Sequence, residues 1–411
     1  MHVLYITQYF QTPSEGGLLR TWEIARYLTK KGHKVTVIAA APHHMSGKLP
    51  ESMGKKLFLR QKIEGINVIK TYSYNYYRKN FLNRLLYYLI FPILAFFAGI
   101  SVQKPDIIIT SSPPIFLLPI GFLLCKIKRR DFVVEVRDAW LEFIIARKLV
   151  PGIFVRPFTY LQNFMFQKAK KIIAVTPGIK KIISNSVKDK SKVVLIMNGF
   201  EEDVHEMVSP SQVDEIKKKY NLDSKFVIIY TGTFGLARDH NIFGATAKLL
   251  KKYDDIVFLF IGEGEKKKEL MDFCKINNLR NCIFLPLQPR NKIPLFLKCA
   301  HVGINSIRKN DSLESSLSNK IFDYLGNGVP VVFAGHGDTA DFLKKCCGGI
   351  VTPPEDAHAM RDAVLKLYRD PTLRRQMGIR GKKFVLENCS RSKILKELEK
   401  NLLQLLDYSR Q

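Results

Sequence analysis

The sequence predicts an α/β protein of two successive domains, each a mainly parallel sheet with helices packed on it. Three observations carry this. At 411 residues the chain is long for a single core, and two domains of about 200 residues are the natural division. Short β-branched and aromatic runs alternate with stretches of helical periodicity, the pattern of repeated β-α-β units. That alternation pauses in an acidic, then mixed-charge and helical stretch at 201–224 and restarts at Phe226. The expected organisation is a first domain over 1–200, a connection over 201–224, a second domain over 225–390 and a terminal helix over 391–411.

Apolar residues make up 46% and charged residues 25%, as in ordinary globular proteins, but 65 Lys and Arg against 37 Asp and Glu leave a net charge of +28. Such a surplus implies an anionic partner: nucleic acid, an anionic membrane or a phosphorylated substrate. The seven cysteines are odd in number, Cys346 and Cys347 are adjacent, and no pair has metal-finger spacing, which reads as free thiols in a reducing compartment. The opening MHVLYITQYF has neither a basic region nor a small-residue cleavage site, so it is not read as a signal peptide.

Residues 2–7 form the first buried strand. A loop over 8–17 with Gly16-Gly17, a helix over 18–31 and a strand over 34–41 complete a unit with glycines at the helix start, where an anion can sit. It is not the GxGxxG fingerprint. Residues 42–54, with His43 and His44, read as a loop; no third ligand stands at zinc spacing. Residues 85–103 carry no charge, just reach spanning length, contain Pro92 and are flanked by Arg78, Lys79, Arg84 and Lys104. A second apolar run, 113–125, leads into Lys126-Ile127-Lys128-Arg129-Arg130. Either the first run spans a membrane, or both are helices of the α/β domain, buried or with outer sides meeting a membrane face. The second reading is preferred, because the strands at 106–110 and 132–136 continue the parallel sheet. Apolar surface beside basic clusters suits interfacial binding. The strand at 132–136 delivers Arg137, Asp138 and Trp140 to its carboxyl end, where α/β sites form. Strands at 171–175 and 193–197, the latter ending in Asn198-Gly199, close this half.

In the second half a strand at 226–230 leads into a loop carrying Gly232, Gly235 and Arg238. The glycines let backbone approach a phosphate and the arginine can pair with it. A strand at 256–261 ends in Gly262-Glu263-Gly264, where Glu263 faces the site or caps the next helix. Strands at 283–285 and 301–306 follow, then a polar loop over 311–318. Ser318-Asn319-Lys320-Ile321-Phe322-Asp323-Tyr324-Leu325 reads as a short helix with Ser318 as N-cap. Its unpaired first N–H groups, the helix dipole and Lys320 make a phosphate site. Asp323, one turn on, is placed to accept hydrogen bonds from sugar hydroxyls. The plain structural alternative is an exposed Lys320–Asp323 pair at i, i+3. Residues 356–405 are mostly helical.

The Ser-Asn-Lys run leading to an acid and then Tyr-Leu resembles the donor-site segment of retaining glycosyltransferases of family 4, which have the GT-B fold. The opening unit resembles theirs too, through Tyr9-Phe10, Gly16-Gly17, Arg20 and Gly32-His33. Arg137-Asp138-Ala139-Trp140 resembles the segment of a branch that includes N-acetyl-L-fucosamine transferases, with Leu141 where the family has proline. The resemblance implies two Rossmann-like domains facing a cleft, with the last helix crossing back to the first domain. It implies a retaining, metal-independent enzyme with no cofactor, because the nucleotide sugar, expected to be UDP-linked, is a substrate. Donor contacts are expected at Gly16, Gly17, Gly232, Gly235, Glu263, Ser318, Asn319 and Asp323, and acceptor-side contacts at Arg20, Arg137 and Trp140. Lys320, Arg238 and Asp138 are the expected catalytic groups. The family's Glu, seven residues, Glu signature places its second acid at Asp323; Ser315 stands at the first, leaving that role to Glu314 or to no residue.

The expected function is transfer of a sugar, an N-acetylated deoxyamino sugar by the branch resemblance, to a lipid-linked saccharide in surface-polysaccharide synthesis. The expected place is the cytoplasm, on the inner face of the plasma membrane. A basic nucleic-acid-binding protein is the alternative from composition, and a nucleotide-sugar epimerase the alternative on the same fold.

Overall fold

The computed structural model describes residues 1–15, 19–42, 47–74, 81–202, 208–235, 238–309 and 312–410. The chain divides into two compact units, Met1–Met197 with Leu395–Gln411, and Asn198–Ile394.

The first unit is built on β1 (His2–Thr7), β2 (Lys34–Ala40), β3 (Phe58–Ile63), β4 (Ile66–Thr71), β5 (Ile107–Ser112), β6 (Asp131–Val136), β7 (Lys171–Ala174) and β8 (Val193–Leu195), in the order β3-β4-β2-β1-β5-β6-β7-β8. Neighbours run parallel except β3 and β4. That hairpin was not read from the sequence. Its signal is the Glu64-Gly65 turn, with φ of 48° and 84°, between two alternating runs. Strand order reverses direction at β1, which pairs with β2 on one side and β5 on the other.

The helices are α1 (Arg20–Lys30), α2 (Phe81–Ser101), α3 (Leu117–Lys128), α4 (Trp140–Ala146), α5 (Gly152–Lys168) and α6 (Pro177–Ser186). Helices α2, α3, α5 and α6 share one core with the sheet: Phe91, Ala95, Leu118, Leu124, Phe166 and Ile183 pack with Leu4, Ile6, Ile108 and Val134. The strands are mainly aliphatic on that face, so burial there is largely hydrophobic, with Thr110 of β5 packed against Gly121 of α3 as a polar exception. Helices α4 and α5, like the hairpin, were not singled out in the sequence.

The second unit has six parallel strands, β9 (Phe226–Thr231), β10 (Ile256–Ile261), β11 (Cys282–Leu285), β12 (Val302–Ser306), β13 (Val331–Ala334) and β14 (Gly349–Thr352), ordered β11-β10-β9-β12-β13-β14. Around them lie α7 (Pro210–Lys219), α8 (Asn241–Leu249), α9 (Lys267–Ile276), α10 (Ile293–Cys299), α11 (Asn319–Gly326), α12 (Asp338–Cys346), α13 (Ala357–Arg369) and α14 (Pro371–Asn388). Much of the segment expected to be a connection is α7, started by a Ser209–Gln212 capping box and packed on α10. The last residue of α11 is Gly326, and a Cβ there would come within 2.4 Å of the Phe200 ring.

The last helix, α15 (Arg391–Arg410), begins in the second unit, and from Leu395 it belongs to the first. There Glu399 accepts hydrogen bonds from Tyr27 at 2.9 Å and pairs with His33 at 2.7 Å, and Asn401 accepts one from Lys171 at 3.0 Å.

Candidate active site

In the second unit the sheet changes direction at β9, which is flanked by β10 and β12. Ligands of open α/β sheets bind at the carboxyl ends of strands at such a point. The loop after β9 brings Gly232, Gly235 and Arg238, and the segment after β12 leads to α11 and Lys320. Gly232 has φ of 126°, and a Cβ on it would lie 3.3 Å from Lys320 Cε and Nζ. The missing side chain is what lets the lysine rest against the loop. Across from it, Gly262 has φ of 144°, and a Cβ there would come 1.9 Å from the Gly232 carbonyl. The two glycine turns expected from the sequence are therefore stacked on each other.

The Lys320 ammonium lies 4.0 Å from the centroid of the Tyr230 ring. Among the described residues no carboxylate forms an ion pair with it and no acceptor takes a hydrogen bond from it. Burial and the nearby Arg238 guanidinium push its pKa well below the ordinary lysine value, against the opposing pull of Asp323. Arg238 donates to the Ser306 carbonyl at 3.3 Å. The two cations concentrate positive charge beside the start of α11, which favours an anion there.

The floor beneath them is neutral. Tyr230 donates to the Thr233 carbonyl at 2.8 Å and lies 3.1 Å from His240 Nε2. With its one proton given to Thr233, the tyrosine oxygen accepts from His240, so that ring is a neutral Nε2–H tautomer. Burial, and then the charges of Lys320, Arg238 and Arg308, press the His240 pKa down to about 3.

Other donor-side expectations are corrected or refined. Ser318 occupies the N-cap position of α11, but its side chain makes no cap hydrogen bond, so the first-turn N–H groups are not closed off by it. Asn319 is exposed beside it. Asp323 is 4% exposed and is not the partner of a solvated Lys320 pair. Arg290 holds it in a fork at 2.5 and 2.7 Å. Glu263 is half exposed and pairs with Lys267 at 2.8 Å, while its carbonyl accepts from Phe234 N–H at 2.9 Å. Its side chain thus serves the start of α9. Gly235 is open, with Thr233 the nearest side chain at 3.7 Å. Glu314 is exposed and bonded to His336 at 2.7 Å; Ser315 is buried.

In the first unit Gly16 and Gly17 lie outside the described residues, as do Arg78, Lys79 and the Arg84 side chain. Arg20 is not a surface contact. It is 7% exposed and clamps the sheet, giving hydrogen bonds to Glu135 at 2.8 Å, to Ile196 O at 2.8 Å and to Met197 O at 3.0 Å. Glu135 also accepts from Tyr5 and Ser111. Burial pushes the Glu135 carboxyl up, but Arg20, Arg137 and these hydrogen bonds outweigh it and hold it below the usual carboxylate range. Arg137 and Trp140 are half-buried and Asp138 is exposed at the carboxyl end of β6, and Trp140 meets the Tyr88 ring edge-on at 5.5 Å. A cavity of about 280 Å³ opens beyond β1 and β2, lined among others by Tyr9, Phe10, Pro42 and the Glu15–Lys70 pair. Among the described residues no group of three His, Cys, Asp or Glu side chains could hold a metal ion.

Comparison with known proteins matches both units. The family described as Glycosyltransferase Family 4 matches residues 16–204, and the family described as Glycosyl transferases group 1 matches 212–384. A relative from Escherichia coli K12, described as a colanic acid biosynthesis glycosyl transferase, WcaI, is 25% identical over 78% of this chain and 79% of its own. The Staphylococcus aureus capsular polysaccharide biosynthesis glycosyltransferase CapM is 22% identical over 72% and 76%. The fold superposes on Anabaena HepE, solved in complex with UDP, with TM-score 0.74 at 15% identity over 98% of this chain and 100% of that one. The chain is a glycosyltransferase of the GT-B fold, like those of family 4 and related to enzymes of surface-polysaccharide biosynthesis.

Proposed function

We propose that the protein moves a sugar from a UDP-linked donor to a lipid-linked saccharide, with retention and without a metal, on the inner face of the plasma membrane. The observation that carries this is Lys320 in the first turn of α11, its ammonium over the Tyr230 ring, against the Gly232 turn and beside the Arg238 guanidinium. When the bond from the sugar to the diphosphate breaks, negative charge grows on the leaving phosphate oxygens. Fixed cations aimed there stabilise the transition state more than the ground state. Lys320 has the most to gain, because an arriving diphosphate offsets the burial and the like charge of Arg238 that disfavour its ammonium.

The UDP in HepE, which shares the fold, supports the choice of nucleotide. The names of WcaI and CapM support surface polysaccharide, whether capsule, lipopolysaccharide or O-antigen, as the destination. The Arg137-Asp138-Ala139-Trp140 resemblance supports an N-acetylated deoxyamino sugar as cargo, and retention follows from the family-4 resemblance. Asp138 and Trp140 are the proposed acceptor contacts on the first unit, Asp138 orienting the acceptor hydroxyl.

The test is incubation of purified protein with a panel of nucleotide sugars, with and without a polyprenyl-diphosphate-linked saccharide, reading nucleoside-diphosphate release and product mass. Acceptor-dependent release from one donor supports the proposal and names the sugar. Donor conversion to an epimer without acceptor, or no reaction with any donor, contradicts it.

A further inference from the structure

Three neighbouring helices of the first unit turn apolar sides to the outside. On α2 every exposed side chain from residue 86 to 100 is apolar: Leu86, Leu89, Ile93, Phe97 and Ile100. Their spacing of three and four places them on one helix face. The opposite face, with Phe91, Ala95 and Ala98, is locked into the core, so the exposed stripe cannot turn inward. Ile93 and Phe97 are 55% and 57% exposed. Helix α3, packed on α2, adds Leu123 and Ile127; α5, packed on α3, adds Ile153 and Tyr160 at 79% and 72% exposure. A helix on the surface of a water-soluble domain ordinarily turns charged groups outward, and contiguous apolar faces of this kind mark a contact.

The charge around them says with what. None of α2, α3 and α5 contains an Asp or a Glu. Exposed Lys126, Arg129 and Arg130 stand at the end of α3, and Arg156 and Lys168 on α5. Among the described residues no helix is long and apolar enough to cross a membrane. The contact is therefore lateral.

We propose that this face docks on an anionic phospholipid bilayer, α2, α3 and α5 laying their apolar sides among the acyl chains while the basic residues meet the headgroups. The inference does not depend on the donor site, and it is tested without donor or acceptor.

The experiment is flotation of the whole chain with vesicles of phosphatidylcholine containing phosphatidylglycerol, against vesicles of phosphatidylcholine alone. The protein floats with the anionic vesicles and less with the neutral ones. The double variant Ile93→Asp, Phe97→Asp lowers the bound fraction about tenfold or more at an unchanged melting temperature. Ile153→Asp with Tyr160→Asp, on the more open α5, does the same and serves if the α2 variant fails to fold. Absence of flotation with anionic vesicles, or variants that float like the parent, overturns the proposal. So does a dimer in light scattering that these substitutions dissolve, since a second copy would then own the surface.

Discussion

Both oxygens of Asp323 are held by the two terminal nitrogens of Arg290, at 2.5 and 2.7 Å, across 33 residues of sequence. The fork ties α11 to the segment after β11, and with it the first turn that carries Lys320. Asp323 is 4% exposed, so water cannot replace the guanidinium. Arg290→Met strands a buried carboxylate and is expected to cost about 3 kcal/mol. Arg290→Lys restores charge without the fork and recovers only part of it. Denaturant unfolding of the three proteins checks this; a loss under about 1 kcal/mol for the methionine variant would mean the pair is idle.

Lys320 pays for its position in stability. Its folded pKa lies below the ordinary 10.5, so between the two values the unfolded chain holds a proton that the folded one does not. Stability therefore rises with pH through that window, and the full cost is present below the folded value. Lys320→Met, which removes the charge at similar length, is expected to raise the melting temperature of the ligand-free protein by about 2–4 °C. Scanning calorimetry without nucleotide decides; a lower melting temperature would place the lysine among the stabilising groups.

Glu135 works in the opposite sense. Its folded pKa is held below the ordinary 4.5. The stability it contributes is complete above that value and is lost as pH falls through the folded one. Arg20→Met removes its main counter-charge. The variant is expected to lose about 3 kcal/mol near neutral pH and to unfold at a higher pH than the parent in acid titration. Circular dichroism against pH reads both.

Gly262 carries the contact between the two glycine turns. An alanine there has to adopt φ of 144° with its Cβ 1.9 Å from the Gly232 carbonyl. Gly262→Ala is expected to shift the Gly232 turn and weaken nucleotide binding at least about tenfold, as displacement of positioning backbone does. Gly54→Ala, where φ of 49° is also positive but nothing lies within 4 Å, leaves binding unchanged. Calorimetric titration with UDP separates the two.

The parts of this fold that were legible are those whose period is local. The runs at β1, β9, β10 and β12 are buried on both faces and read as strands directly, and Ile321, Phe322 and Leu325 announce α11. Strand β3 is exposed or half-buried throughout and half polar, so the hairpin it forms with the buried β4 stands out only with the Glu64-Gly65 turn. Lys320, Arg238 and Gly232 could be assembled from strand-end logic and resemblance. Arg290 could not, since nothing near it in sequence marks it as the partner of Asp323. Arg20 was visible as a residue but not as a clamp, because its partners Glu135 and Ile196 lie 115 and 176 positions away.

The measurement that bears most directly on the donor site is sugar transfer by Lys320→Met, at saturating and at low donor, with the donor named by the nucleotide-sugar panel and the acceptor held constant. A fall in turnover of about 10²–10³-fold that saturating donor does not rescue is the predicted result. Transfer equal to the parent at both concentrations would contradict the assignment of Lys320 to the leaving diphosphate.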